Sequence, residues 1–381
     1  MFKLLTGLRV IDLTTVVLGP YATQIIADLG ADVIKVEPPE GDVFRAARPG
    51  RLDDIGAGFQ NFNRNKRSVV VDLKSNEGQH HLTELVRGAD VVVHNMRLKS
   101  AANLGADYAT LRAVNEQLIY CFSPGFGSTG PDADAPAYDD IIQARAGLAD
   151  LNKDANGAPQ FVRTIACDKV VGLHLAIAML SGIAYRERHQ TSVCIEAPML
   201  ETMTSFLMAE HLSGHSFTPP EGDLGYDRLM TKHRKPHKTL DGYIAILPYS
   251  SRHWVRFFTA CGNPSLAQDE RVTDPILRSQ HIDWLYQKIA ALAAQKTTAE
   301  WLQLMSAEDI PCAPINSLDD LFADEHLHAV NLFQQLNSDK LGSICQIRSP
   351  FIVDGETFDL PTNNTVAPTL GEHTSDVLSR P

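Results

Sequence analysis

Apolar and polar positions alternate along the first third of the chain in short, regular blocks. Leu8-Arg9-Val10-Ile11-Asp12-Leu13 is mainly apolar and reads as a buried strand. Gly19-Pro20 then turns the chain, with Pro suited to a first helical position. A helix is predicted over 21–29, with Gly30 as its C-cap. A second strand over 33–37 stops at Pro38-Pro39. Such a strand–helix–strand unit implies a parallel pair with a right-handed crossover. The alternation continues with a strand over 68–73, a helix over 77–86, a strand over 90–94, a short helix over 108–113 and a strand over 118–122. This pattern predicts a Rossmann-like doubly wound α/β domain, with ligand-binding loops at the C-terminal ends of its strands.

The pattern then changes. One long helix over 168–188 is rich in Ala, Leu, Ile and Val, and is followed by a strand over 193–196 and a helix over 199–212. A Pro- and Gly-rich passage at 217–226 marks a domain boundary. Beyond it come a short strand pair within 242–247 and helices over 253–261 and 283–293, which read as a smaller α+β domain. The expected organisation is a large α/β domain over 1–215, a linker over 216–224, a small domain over 225–318 and a return to the large domain over 319–381. An extended, Pro-punctuated tail at 347–370 fits that return.

Composition narrows the function. The chain has 381 residues, 44% hydrophobic and 21% charged, as in ordinary globular proteins. A formal net charge of −12 argues against nucleic-acid binding, which Lys and Arg drive. An anionic ligand would need a local basic patch. No apolar run reads as a membrane span. The six cysteines contain no CxxC, so neither a zinc site nor a disulfide framework is predicted, and the expected setting is cytoplasmic. The fourteen histidines form no metal-spaced cluster, and no metal is expected.

Familiar chemical signatures fail. The first strand–helix–strand unit ends in Glu37, as a dinucleotide site would, but its connection, Thr14-Thr15-Val16-Val17-Leu18-Gly19-Pro20, has one glycine where the fingerprint needs three. Ser123-Pro124-Gly125-Phe126-Gly127 has the wrong order for a nucleophile elbow. There is no P-loop and no HExxH.

A set of ordered motifs goes further. Leu5 through Leu13, Gly19-Pro20 and Leu29-Gly30-Ala31-Asp32-Val33-Ile34-Lys35-Val36-Glu37 resemble the opening of the family III CoA-transferases of the CaiB/BaiF type. That family includes formyl-CoA, crotonobetainyl-CoA and succinyl-CoA transferases and α-methylacyl-CoA racemase. Asn63-Arg64-Asn65-Lys66-Arg67-Ser68, the segment 123–131, Tyr138-Asp139, Pro198-Met199-Leu200-Glu201, Ile310-Pro311-Cys312-Ala313-Pro314 and Leu370-Gly371-Glu372-His373-Thr374 come after it in the same order. The likeness thus covers nearly the whole chain.

The resemblance implies a transfer of CoA from an acyl-CoA donor to a carboxylic acid acceptor, with CoA as substrate rather than tightly bound cofactor. It implies an interlocked homodimer. It places the nucleophile at Asp168, the start of the long helix, where the competing reading is a helix N-cap. Cys167 is the rival nucleophile. Tyr138-Asp139 resembles the aromatic–acid pair of the transferases. The racemase branch, the alternative function, has a histidine in place of Tyr138, and a phenol exchanges protons poorly near neutral pH. Asp139 is a candidate second acid or a helix-start carboxylate.

By position, Val16, Lys74, Asn95 and Arg97 are implied CoA contacts. Several basic residues usual in relatives are absent here: Pro38, Asn103 and the run Asp134-Ala135-Pro136-Ala137 occupy their places. Lys99 is a possible substitute for one of them. Val17 stands where formyl-CoA transferase has glutamine, and that enzyme's glycine-rich loop is not visible between Gly242 and His253, which argues against oxalate and formate.

Overall fold

The computed structural model describes residues 3–358, 360 and 366–379. The chain divides into two compact units, one formed by residues 1–207 and 330–381 and the other by 208–329.

The first unit is built on six strands: β1 (Arg9–Asp12), β2 (Asp32–Glu37), β3 (Lys66–Val70), β4 (Val91–His94), β5 (Ile119–Phe122) and β6 (Val193–Glu196). They lie in the order β3-β2-β1-β4-β5-β6, and every pair is parallel. This is the doubly wound order, with its switch point between β1 and β4. Val10, Val33, Val91 and Ile119 face one apolar layer, and Ile11, Ile34, Val92 and Tyr120 face the other. Both faces are therefore covered, as a parallel sheet requires.

Helix α1 (Leu18–Asp28) leads from β1 to β2, and α2 (Asn76–Arg87) from β3 to β4. Helix α3 (Asp139–Arg145) is short; α4 (Ala166–His189) is 24 residues long and is followed by β6 and α5 (Met199–His211). By length and apolarity α4 alone among the described residues would pass for a membrane span, but 56% of its most apolar stretch is buried. Its inner face packs in the core with Ile119 and Ile26. Gly172 lets α4 approach α1 closely: a Cβ there would stand 2.7 Å from the Leu18 carbonyl oxygen.

Two of the boundaries that moved bear on the site. Helix α1 begins at Leu18, not at 21, so Pro20 is its third residue. Pro is tolerated there because first-turn N–H groups have no helical acceptor. Strand β3 begins at Lys66, not at 68. A charged residue in a buried strand looks wrong in sequence, but the Lys66 Nζ is enclosed by Asp12 Oδ2 at 3.1 Å, the Pro20 carbonyl at 3.0 Å and Asn63 Oδ1 at 2.8 Å.

The tail returns to the first unit beside β3. The Ser68 N–H donates to His373 Nδ1 at 3.2 Å, and the Gly371 N–H donates to Ser68 Oγ at 2.9 Å. A hairpin of 333–338 and 342–347 precedes it.

In the second unit, β7 (His237–Lys238), β8 (Tyr243–Ile246) and β9 (Cys312–Pro314) form an antiparallel sheet. The central strand was predicted as half of a local pair, yet one of its partners lies more than sixty residues downstream. Helices over Ser251–Ala260, Ile282–Ala293 and Thr298–Ala307 close on this sheet around Trp254, Phe257 and Trp301.

Asp12 and Lys66 are fully buried partners. Lys66→Met should lower stability by roughly 3–5 kcal/mol in urea unfolding, because Asp12 would be left charged and under-partnered. Adding Asp12→Asn should recover part of that loss. A Lys66→Met protein as stable as wild type would show that the pair is not what holds β1 to β3.

Candidate active site

The loops leaving the C-terminal ends of the strands meet over the switch point. The loop after β1 is held residue by residue. The Thr14 N–H donates to Asp12 Oδ1 at 2.9 Å, while the Thr14 carbonyl accepts from the fully buried Lys35 Nζ at 2.8 Å. The Thr15 N–H donates to Asn95 Oδ1 at 3.0 Å, and Asn95 Nδ2 donates back to the Thr15 carbonyl at 2.9 Å. The Val16 N–H donates to Asp42, 3.1 and 3.3 Å from its two oxygens. Asp42 is paired in turn with Lys35 at 2.9 Å. Burial alone would raise the Asp12 carboxyl, but the Lys66 and Lys35 ammonium groups outweigh it and hold it near 2.

His94 ends β4 and is fully buried. Burial lowers its imidazole to about 4, so the ring is neutral near pH 7. Its Nδ1 accepts the Met96 N–H at 3.1 Å, which leaves Nε2 to donate to the Tyr120 hydroxyl at 2.6 Å. The Tyr120 hydroxyl in turn donates to the Ala106 carbonyl at 2.7 Å. The ring thereby anchors the loop that carries Asn95 and Arg97.

A cavity of about 440 Å³ opens between these loops. Thr15, Val16 and Leu18 line one side, Asn95 and Arg97 another, and Tyr138, Asp168 and Met199 a third. Of the eight residues singled out from sequence, Val16, Asn95, Arg97, Tyr138 and Asp168 reach this one cavity. Lys74 lines a neighbouring cavity of about 270 Å³, with Leu13, Val36, Leu73 and Leu104. Thr15, Pro38 and Met96 border both cavities. Asp139 and Lys99 line neither. The Lys99 ammonium is paired with Asp134 at 2.9 Å, and Arg97 donates to the Asp134 carbonyl at 3.3 Å.

Asp168 is the third residue of α4, and the capping position belongs to Ile165, which offers no side-chain bond. The N-cap reading of Asp168 therefore does not hold. The cap comes from another helix. Asp139 Oδ1 accepts the Asp168 backbone N–H at 3.0 Å, and Gln143 Nε2 donates to Asp139 Oδ2 at 2.5 Å. Gln143 Oε1 accepts the Val162 N–H at 2.9 Å, so one buried amide joins α3 to the approach of α4. Asp139 opens its own helix, as a helix-start carboxylate would, while its side chain serves α4.

The Asp168 side chain faces the cavity and is only 7% exposed. Burial, and then the Asp139 charge, push its carboxyl up to about 7, against an opposing pull from the Leu18 N–H at the start of α1. A carboxylate so poorly solvated is a stronger nucleophile than an ordinary aspartate. Cys167 is fully buried in the core, and burial with Asp139 and Asp168 nearby raises its thiol to about 12. It is neither accessible nor ionised. Tyr138 is 68% exposed at the rim. Ser123 is buried and donates to the Ala197 carbonyl at 2.6 Å.

Glu37 is not available to a ribose. Both its oxygens accept from Arg45 at 2.7 Å, and Ser68 Oγ donates to one of them at 2.7 Å. Asp42, Gln143 and the Leu18 N–H were not found from sequence. Their roles come from where their polar atoms point, which residue spacing does not encode.

The family profile described as CoA-transferase family III matches residues 5–374. The chain is 32% identical over 384 residues to the succinate–glutarate CoA-transferase of Agrobacterium fabrum, covering 98% of this chain and 95% of that one. It is 31% identical to the succinyl-CoA:mesaconate CoA-transferase of Haloarcula hispanica, covering 98% and 95%. Among solved structures, a CAIB/BAIF family protein from Brucella suis superposes with a TM-score of 0.80 at 30% identity, over 98% of each chain.

The raised Asp168 carboxyl has a measurable consequence for stability. The native chain binds its proton more tightly than the unfolded chain, so between 3.8 and about 7 stability falls as pH rises. Asp168→Asn cannot ionise. It should melt a few degrees higher than wild type at about pH 8, with the gain shrinking toward about pH 5. A thermal-shift series in which the two proteins differ equally at every pH would refute the desolvation of Asp168.

Proposed function

The chain belongs to CoA-transferase family III, and on that premise we propose that it transfers CoA between carboxylic acids through covalent intermediates on Asp168. The observation that carries this reading is the desolvated Asp168 carboxyl, set at the start of a long helix and open to a cavity at the sheet's switch point.

In this reading the Asp168 carboxylate attacks the thioester carbonyl of the donor. The C–S bond breaks, and an acyl–aspartyl anhydride forms with release of the CoA thiolate. The thiolate attacks the aspartyl carbonyl, giving an aspartyl–CoA thioester and the free donor acid. The acceptor carboxylate then displaces CoA from that thioester, forming a second anhydride. The returning thiolate attacks the acceptor's carbonyl, giving the new acyl-CoA and restoring the Asp168 carboxylate. One thioester replaces another, so the cycle needs no external energy source.

Each tetrahedral intermediate on the aspartyl carbonyl places negative charge on an Asp168 oxygen. The Leu18 N–H and the N-terminal end of α4 are the groups positioned to meet it. Asp139 supports the reaction by holding the first turn of α4 in place and by raising the basicity of Asp168. Tyr138 serves as a wall at the rim.

CoA fits across both cavities in this reading. The apolar walls of the smaller one, Leu13, Val36, Leu73 and Leu104, suit the adenine, with Lys74 beside the phosphates. The pantetheine arm passes Val16 and Asn95 toward Asp168, with Arg97 at the rim. Lys99 contributes only if it leaves Asp134. The exact donor and acceptor lie within the carboxylic acids that the relatives' names cover.

We infer a homodimer from the outer face of α4. Leu173, Ile177 and Leu180 fall one helical turn apart and are 45%, 57% and 36% exposed, an apolar stripe that a second copy would cover. A sedimentation mass of one chain at micromolar concentration would contradict the dimer.

Incubation with an acyl-CoA should leave an adduct on the peptide containing Asp168, trapped by hydroxylamine as a hydroxamate. Asp168→Ala and Asp168→Asn should abolish turnover and trapping, with CoA binding retained within about threefold. For the wild type, kcat/KM should rise with pH through about 7, as the Asp168 carboxyl ionises. A fully active Asn variant would end the mechanism. In deuterated water the α-proton of the acyl group should remain unexchanged; exchange without an acceptor acid would indicate a racemase instead.

A further inference from the structure

The loop after β1 is strained where it turns toward Asp168. Val16 has φ of 70°, in the left-handed region that a β-branched side chain strongly avoids. Such a conformation is costly and persists only where surrounding contacts enforce it. The enforcing contact is Asp42, whose two oxygens both face the Val16 N–H. Asp42 is itself immobile. Lys35 pairs with one oxygen at 2.9 Å, the Phe44 N–H donates to the other at 2.9 Å, and the side chain is fully buried.

The residues after Val16 are tightly coupled to it. Val17 is fully buried, and its carbonyl already accepts the Tyr21 N–H at 2.8 Å as α1 begins. The start of α1 sits so close to the loop that a Cβ at Gly19 would fall 2.2 Å from Thr14 Cβ. With one residue between the turn and Leu18, the conformation of Val16 sets the direction of the Leu18 N–H, and Leu18 lines the same cavity as Asp168.

We propose that Asp42 is a positioning residue of the transfer reaction: it holds Val16 in the left-handed turn, and through that turn keeps the Leu18 N–H directed toward the Asp168 carboxyl across the cavity they share. This rests on the assignment of Asp168 as acyl carrier. Asp42 touches neither substrate nor Asp168; it acts through three residues of backbone. Lys35 serves it by balancing a buried charge. The three carboxylates and three cations of the cluster (Asp12, Glu37, Asp42; Lys35, Arg45, Lys66) keep that buried region electrically neutral, so the enforcing contact is stable without solvent.

The test compares Asp42→Ala in two backgrounds. In the wild-type chain it should lower kcat by about 10–100-fold, the scale on which small displacements of reacting groups act, while KM for acyl-CoA changes little. The acid limb of kcat should move to higher pH, because the Leu18 N–H no longer favours the ionised carboxyl. In a Val16→Gly background, judged against Val16→Gly alone, the same substitution should cost less than about threefold, since glycine adopts a positive φ unaided. Equal losses in both backgrounds would overturn the proposal and assign Asp42 to the Phe44 turn or to Lys35. If Asp42→Ala does not fold, Asp42→Asn decides: it retains an acceptor for the Val16 N–H, so its kcat limb should stay at the wild-type pH despite lower stability. A shifted limb in that variant would count against the proposal. Hydroxylamine trapping separates the two levels. A wild-type chain that yields no Asp168 adduct removes the acyl-carrier assignment, whereas slow trapping at Asp168 in Asp42→Ala agrees with positioning.

Discussion

Three buried ion pairs beneath the switch point underlie everything built above them. Asp12–Lys66, Lys35–Asp42 and Glu37–Arg45 tie the ends of β1 and β2 to the first residue of β3 and to the segment that follows β2. None of the six residues is more than 4% exposed. Buried charges are costly unless each finds its counter-charge and its remaining hydrogen bonds. Here each does. The result is a rigid polar platform that dictates the path of the loop after β1, and that loop forms a wall of the cavity.

The candidate nucleophile is shaped by opposing fields. Removal from water and the neighbouring Asp139 charge disfavour an ionised Asp168, whereas the Leu18 N–H favours it. The first effects win, which leaves a carboxyl that is basic for its type and titrates close to neutrality. This arrangement works against stability and in favour of reactivity, as functional sites commonly do. Asp139 combines both sides of the conflict in one side chain. It caps α4 by accepting the Asp168 N–H, and its charge raises the Asp168 carboxyl.

The ordered motifs acquire a physical meaning once their contacts are known. Few of them present side chains to the cavity. Asn63 and Lys66 hold β3 to the start of α1. Arg64 forms a buried pair with Asp28 at 2.5 Å, closing α1 against the same segment. Glu201 accepts the Gly127 N–H at 2.8 Å, and Glu196 takes the Ser128 N–H at 2.7 Å, so two carboxylates fasten the glycine-rich loop. His373 and Gly371 dock the tail on Ser68. Apart from the Arg64–Asp28 and Lys66–Asn63 side-chain contacts, these contacts satisfy backbone groups that loops would otherwise leave unpaired.

The sequence by itself determined the alternation of strands and helices, hence the parallel doubly wound sheet. It also placed the long helix that presents Asp168, to within two residues of its observed start. These are properties of local periodicity and chain order, and a strand of Val and Ile flanked by turn residues carries them unaided. Tertiary structure alone decided the rest. Lys66 reads as a loop residue until Asp12, fifty-four positions earlier, supplies its counter-charge. Asp168 reads in sequence as a helix cap until Asp139 is seen to take the capping role. Asp42 carries no signal at all, because its function is a contact with a backbone N–H twenty-six residues away. Hydrogen bonds and ion pairs depend on distance and direction in space, and these are set by how the elements pack, not by their spacing along the chain.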